Sequence, residues 1–344
     1  MTLESNRYLL SEAEHETIFR NEILPTLLVG LHPSQHPTAV IFGGQPGAGK
    51  SAAVEAAVTD LSRDTAPVEI IGDDFRAFHP KFGDLLQQDD KTAAFYTDRD
   101  TGQWVEKAIA YVKDHRYNVV IEGTMRNPDV VAQTMQAFRN AGYQIDARAL
   151  AVNEKFSWQG VLERYEKQKA VRGGGRMTTP QAHAAGYEGL PLTLEHIEAD
   201  KLADRLTLYR RGAQPVYRNA LINGAWERPP TAVQALHAER DRPFTADEQQ
   251  AYFQGFDRIY TFITATTRQA TTAEIKTIKN LRQQAFDGMS PYLQGRFAAQ
   301  FHMATIKCTD VPPDLQRGAD VKTKIAELSS PTTMSNLPNK GRSR

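Results

Sequence analysis

The octapeptide Gly44-Gln-Pro-Gly-Ala-Gly49-Lys50-Ser51 limits what this chain can become more than any other feature. It fits G-x-x-x-x-G-K-[ST] at every position, a pattern that works only between a strand and a helix. Both neighbours are present: Ala39 to Phe42 is a short β-rich run, and Ala52 to Leu61 is helix-prone and alanine-rich. Glycines let successive backbone N–H groups turn toward an anion, and the following helix N-terminus adds partial positive charge. Lys50 then reaches the β and γ phosphates of a nucleoside triphosphate, and the Ser51 hydroxyl takes a place on Mg²⁺. A glycine-rich turn that merely precedes a helix would leave the agreement of motif and context unexplained.

The rest of the first 230 residues extends this α/β reading. Apolar runs at Val68 to Ile71, Val119 to Ile121 and Ile145 to Val152 read as strands, with another around Leu206 to Tyr209. Helical stretches at Trp104 to Val112, Val130 to Ala141 and Phe156 to Lys169 separate them, the last stopping at Gly173-Gly-Gly175. Strands separated by helices of this length point to βαβ units, and with the phosphate loop after the first strand they predict a P-loop NTPase fold, a parallel sheet flanked by helices. Before it, Ser11 with Glu14 forms a capping box ahead of the stripe Ile18, Phe19, Ile23, Leu27 and Leu28, with Pro25 predicting a kink or early stop. After it, capping boxes at Thr245/Glu248 and Thr271/Glu274 open two amphipathic helices. The expected organisation is an N-terminal helix and linker (1–37), a P-loop core (38–230), a helical C-terminal region (231–328) and a disordered tail (329–344).

Composition narrows the class. Lys plus Arg is 41 and Asp plus Glu is 41, a net charge of zero, which argues against nucleic acid as a partner. One cysteine, Cys308, allows neither an intrachain disulfide nor a zinc cluster. No apolar run reaches the ~18 residues of a membrane span, and residues 1–7 lack the apolar core of a signal peptide. The expectation is a soluble, cytoplasmic protein without a membrane partner.

Three further patterns carry chemistry. The second strand ends Ile70-Ile-Gly-Asp73-Asp74-Phe-Arg76, and a carboxylate beyond a strand's C-terminus can take a proton from a substrate hydroxyl. From spacing alone either aspartate fits, and both could simply cap the next turn. The third strand ends in Glu122, placed as the acidic Mg²⁺ partner of P-loop enzymes is. Arg164 on the preceding helix and Arg172 and Arg176 around the triple glycine resemble a mobile lid that neutralises a transferred phosphoryl group, with a solvated surface role the alternative for each.

The runs Ile71-Gly-Asp-Asp-Phe-Arg-Ala-Phe-His-Pro80, Arg116-Tyr-Asn-Val-Val-Ile-Glu-Gly-Thr-Met-Arg126 and Leu162-Glu-Arg-Tyr-Glu166 follow a Gly-Gly-Gln-Pro-Gly-Ala-Gly-Lys-Ser P-loop. In that order, over residues 38 to 225, they resemble the zeta toxin family. The resemblance implies a kinase that uses ATP and Mg²⁺ to phosphorylate the 3′-hydroxyl of the amino-sugar in UDP-N-acetylglucosamine or a related UDP-sugar. Such kinases block cell-wall precursor synthesis, and a small helical antitoxin commonly restrains them. It implies that Asp73 is the general base, and that Arg76, Glu106, Thr124, Arg126 and Thr134 lie on the substrate side. Glu122 and Ser51 fall near the metal, Lys50 and residues Gly44, Gln45, Pro46, Gly47, Ala48, Gly49 and Ser51 on the nucleotide, and Arg164 and Arg176 on the phosphates. The spacing from Arg164 to Arg176 departs by a residue from the family pattern, which keeps Arg172 in competition.

The residues also admit a P-loop kinase of another nucleotide, nucleoside or antibiotic hydroxyl, an NTP-driven regulatory module, or a nucleic-acid end kinase. The regulatory module is disfavoured because no Asn-Lys-x-Asp guanine-reading motif is evident. The N-terminal helix either packs on the core or lies across the nucleotide site, with Glu12, Glu14, Glu16 and Glu22 mimicking phosphate near Lys50.

Overall fold

The structure is a computed structural model and describes residues 6–298. Its centre is β1 (Thr38–Gly43), buried at all six positions. Alternate residues of this strand serve opposite faces: Ala39 and Ile41 join one apolar cluster, Val40 and Phe42 another. A strand covered on both sides must read as a continuous apolar run, which is why the sequence marks it clearly.

The N-terminal helix comes first in the chain. It comprises α1 (Glu12–Ile18), a π-helical turn at Phe19–Ile23 and α2 (Leu24–Leu27). The capping box at Ser11 and Glu14 is present. The irregularity expected at Pro25 takes the form of a π turn, in which the Leu24 N–H bonds the Phe19 carbonyl five residues back. Phe19 and Ile23 are buried in the same cluster as Ala39 and Ile41, and Glu16 pairs with Arg20 and Lys107 rather than approaching Lys50. The helix packs on the core.

After β1 come α3 (Ser51–Leu61), β2 (Val68–Ile71), a 3₁₀ turn at Asp74–Phe78, α4 (Phe82–Gln88) and α5 (Ala93–Asp114). They are followed by β3 (Val119–Glu122), α6 (Pro128–Asn140), β4 (Gln144–Leu150), α7 (Glu154–Arg172) and α8 (Pro180–Ala199). The strands β5 (Arg205–Arg210), β6 (Gln214–Ile222) and β7 (Ala225–Trp226) complete a seven-stranded sheet of order 2-3-1-4-5-6-7. β1 to β5 form the expected parallel sheet, and β6 and β7 extend it with antiparallel strands, so the whole is mixed. The reason lies in the turn after β5, where Gly212 and Ala213 both adopt positive φ and close a hairpin that no helix-length spacer announces. Helix α8 is also hidden in the sequence by Gly186, Gly189 and Pro191.

Pro191 has no N–H for the Tyr187 carbonyl, and the Arg240 Nη1 takes that place at 2.9 Å. Arg240 lies on α9 (Ala232–Asp241), whose Ala232 and Leu236 are buried in the sheet's cluster. Three more helices follow: α10 (Ala246–Ile263), α11 (Thr272–Asp287) and α12 (Pro291–Ala298). They form their own core around Phe253, Phe256, Ile259, Ile278 and Phe297, and both expected capping boxes are there. The tail 329–344 and Cys308 lie outside the described residues.

This helical region is tied to α7 by charge. Arg258 holds Glu163 at 2.5 and 3.1 Å, and Arg268 holds Glu166 at 2.6 and 3.3 Å, the latter pair almost wholly buried. Removing one partner of a buried pair leaves the other charge desolvated. Arg268→Ala is therefore expected to cost about 3 kcal/mol in denaturant unfolding, and Arg20→Ala, on an exposed pair, ~0.5 kcal/mol or less.

Candidate active site

The P-loop leaves β1 at Gly43 and enters α3 at Ser51. Gly44, Gly47 and Gly49 have φ of 153°, 77° and 84°, conformations closed to most side chains. Gly47 is further constrained by α7: a Cβ there would fall on the Ser157 carbonyl, and one on Gly160 would fall on the Gly47 carbonyl. The loop is thus clamped backbone to backbone against a helix one hundred residues away.

Gln45 is buried and turned inward, away from any phosphate. Its amide donates to the Val152 carbonyl at 2.7 Å, and its carbonyl accepts from Arg240 Nη2 at 3.2 Å. The Gly44 N–H bonds the Thr124 carbonyl at 3.4 Å, so the loop after β3 also supports the P-loop. Lys50 Nζ donates to the Gly44 carbonyl at 2.8 Å and lies 3.5 Å from Glu122. Burial, followed by the nearby Arg164 charge, lowers the Lys50 pKa against the opposing pull of Glu122 and Asp73.

Glu122 ends β3, in register with Phe42 on one side and Ile71 on the other. It therefore sits between the P-loop and the loop that carries Asp73. Asp73 pairs with Arg176 and lies 3.5 Å from Arg76 Nε. Its side chain is 42% exposed, while the surrounding protein still works to raise its pKa. The guanidinium groups of Arg176, Arg76 and Arg164 outweigh that burial and hold the carboxyl well below the ordinary aspartate range. Asp74 instead opens the 3₁₀ turn.

The remaining residues singled out from the sequence divide into two groups. Arg164 on α7 bonds the Thr178 hydroxyl at 3.0 Å and adds its charge to the Lys50–Asp73 site. Arg176 reaches Asp73, whereas Arg172 is exposed on the last turn of α7. Arg76 spends its donors within the protein, on Ala94, Thr97 and Asp98, fastening the Asp73 turn to α5. Glu106 is exposed on α5, next to Val105, which faces Gly72. Arg126 is exposed beyond β3, and the Thr134 hydroxyl bonds the Val130 carbonyl of its own helix at 2.8 Å.

Two features escaped the sequence. Arg240 has no motif to mark it, because it acts through Gln45 and Tyr187 across the fold. A cavity of about 430 Å³ opens beside the P-loop, lined by Val152, Phe156, Gln159, Arg211, Phe244 and Ala251 among others. Arg211 lies against Gly49 and its guanidinium stands 5.6 Å from the Phe156 ring.

The Zeta toxin family model matches residues 26–222, more than half of the chain. The chain belongs to the zeta toxin family. It is 30% identical over 216 residues to Toxin PezT of Streptococcus pneumoniae serotype 4, spanning 62% of this chain and 83% of that one. It is 31% identical over 198 residues to Toxin zeta of Streptococcus pyogenes, spanning 57% and 68% respectively. A solved structure from the characterisation of the PezAT chromosomal toxin–antitoxin system of Streptococcus pneumoniae superposes with a TM-score of 0.64 at 25% identity. That match covers 75% of this chain and 99% of the other. Zeta toxins are kinases, and this chain is accordingly a phosphotransferase of the toxin-kinase type, built on a P-loop. Among the described residues no helix is long and apolar enough to cross a membrane.

The clamp between Gly47 and Gly160 gives a test outside the P-loop motif. In Gly160→Ala the added methyl displaces the Gly47 carbonyl, and ATP affinity measured by titration calorimetry is expected to fall on the order of tenfold, ~1.4 kcal/mol.

Proposed function

We propose that the chain transfers the γ-phosphoryl group of ATP to the 3′-hydroxyl of the amino-sugar of UDP-N-acetylglucosamine. The observation that carries this reading is the Asp73 carboxylate, kept ionised by three arginines and within the field of the P-loop lysine. A base in that position, beyond the end of a strand adjoining the Glu122 strand, suits an acceptor hydroxyl brought up to a γ-phosphate.

The step is a single displacement. The acceptor oxygen forms a bond to the γ-phosphorus, the bond to the β,γ-bridging oxygen breaks, ADP leaves, and Asp73 takes the hydroxyl proton. Lys50 offsets charge on the β and γ phosphates, and Arg164 and Arg176 offset charge spread over the transferred group. Arg76 acts through Asp73 by holding its turn. The family pattern would put Glu106, Thr124, Arg126 and Thr134 on the acceptor side.

For the metal, the donors present are the Ser51 hydroxyl and the Glu122 carboxylate. Among the described residues no group of three or more His, Cys, Asp or Glu forms a self-sufficient cage. That fits Mg²⁺, which is commonly held by one or two protein oxygens together with substrate phosphates and water. When bound it would neutralise phosphate charge. The cavity has Arg211 in its lining, and Arg211 lies against Gly49 of the P-loop, which supports it as the site for the adenosine end of ATP. A small antitoxin is the expected protein partner, by analogy with the PezAT system.

Incubation with ATP, Mg²⁺ and a panel of UDP-sugars, followed by mass detection of one added phosphate, tests the acceptor; no product from any UDP-sugar would overturn it. Asp73→Asn is expected to lower kcat by ~10² to 10⁴ with ATP affinity nearly unchanged, and Asp74→Asn to do far less. Lys50→Ala should make the protein harmless to a bacterial host that the wild type poisons, and equal toxicity of the two would separate the effect from phosphoryl transfer.

A further inference from the structure

Asp90 lies between α4 and α5, far from the P-loop in sequence, and is buried. Its two oxygens collect donors from a single region of the fold. Oδ1 accepts from the Tyr165 hydroxyl at 3.1 Å, Lys169 Nζ approaches the two oxygens at 3.2 and 3.1 Å, and Oδ2 accepts from the Gly175 N–H at 3.1 Å. Gly175 cannot be larger, since a Cβ there would stand 2.6 Å from the Tyr165 carbonyl, and Gly174 rests against the Leu86 carbonyl of α4. The next residue is Arg176, whose N–H is taken by Gln168 Oε1 at 2.8 Å and whose guanidinium pairs with Asp73. The triple glycine is therefore fastened at its backbone.

We infer that Asp90 is a positioning residue: by holding the Gly175 backbone it aims Arg176 at Asp73. A buried carboxylate that binds a backbone N–H, a hydroxyl and an ammonium fixes all three, because leaving any of them unpaired in a dry interior is costly. Arg176 is one residue beyond that anchor, so its backbone is held where its guanidinium reaches Asp73. The charges facing Asp73 are Arg176 itself, Arg76 from the 3₁₀ turn, Arg164 from α7 and Lys50 from the P-loop. Loss of the anchor removes the strongest of the three guanidinium influences on the Asp73 carboxyl. The kinetic consequence rests on the proposed reading of Asp73 as the base, whereas its titration needs no acceptor.

The test is a ¹³C-carboxyl NMR titration of the full chain, with the Asp73 signal identified by Asp73→Asn, alongside pH–rate profiles with ATP and UDP-N-acetylglucosamine. In Asp90→Ala, Asp73 should titrate at least ~1 pH unit higher, as it should in Arg176→Ala, and the acid limb of kcat should move with it. kcat should fall by about one to two orders of magnitude, and adding Arg176→Ala should bring little further loss. A folded Asp90→Ala protein in which Asp73 titrates as in the wild type, with only the melting temperature lowered, overturns the inference. If Asp90→Ala does not fold, Gly175→Ala decides: its methyl displaces the turn while Asp90 keeps Lys169. An unchanged Asp73 titration there overturns the inference equally. A shifted titration without any UDP-sugar product would sustain the role of Asp90 and discard the acceptor.

Discussion

The backbone contact between Gly47 and Gly160 is the constraint on which the site depends. A phosphate-binding loop works only if its N–H groups are fixed before the anion arrives, and a loop of glycines has no side chains with which to fix itself. Here α7 fixes it by direct approach, and Gln45, turned inward, completes the anchor through Val152 and Arg240. The same helix carries Arg164 midway and hands over to the Arg176 turn at its end. One rigid element thus sets the nucleotide loop and both arginines relative to one another.

That places a structural demand on α7, and the C-terminal helices meet it. Glu163 and Glu166 take Arg258 and Arg268, and the Gln159 amide donates to the Tyr252 carbonyl at 2.5 Å. A helix that must position a P-loop on one side is held on the other by two charge pairs, of which Arg268–Glu166 is buried, and by a separate apolar core. The region beyond the family match therefore has a mechanical connection to the site through residues of the Leu162-Glu-Arg-Tyr-Glu166 run.

Electrostatics in the site follow from crowding of unlike charges in a partly desolvated space. Lys50 is drawn down by burial and by Arg164, while Asp73 is held down by three guanidinium groups. The outcome is a carboxylate ionised throughout the neutral range beside a cation, with Glu122 3.5 Å from that same lysine. Arg76 illustrates how a residue of a recognisable motif serves the site indirectly. Its donors go to α5, and the substrate-side position implied by its motif is filled by a group that shapes the Asp73 turn.

Local chemistry made much of this legible in one dimension. The P-loop, the apolar strands around it and the three capping boxes are readable because each is decided within a few residues, by backbone freedom, continuous burial or a short hydrogen-bonded reciprocity. The acidic strand ends were legible for the same reason, though not which aspartate of Asp73 and Asp74 faces the arginines. Helix α8 and the β6 hairpin were hidden, because Pro191 and Gly189 are tolerated only through partners elsewhere: Arg240 takes the orphaned Tyr187 carbonyl, and the Arg126 backbone fills the space a Cβ would need. By itself, then, the sequence determined the phosphate loop, the strand-and-helix alternation and the charged groups at the strand ends. Only the tertiary structure decided that Arg176 rather than Arg172 meets Asp73, that Gln45 faces inward, and that Asp90 grips the glycine turn. Those choices rest on contacts between segments tens to hundreds of residues apart, and such contacts leave no periodicity or spacing in the chain.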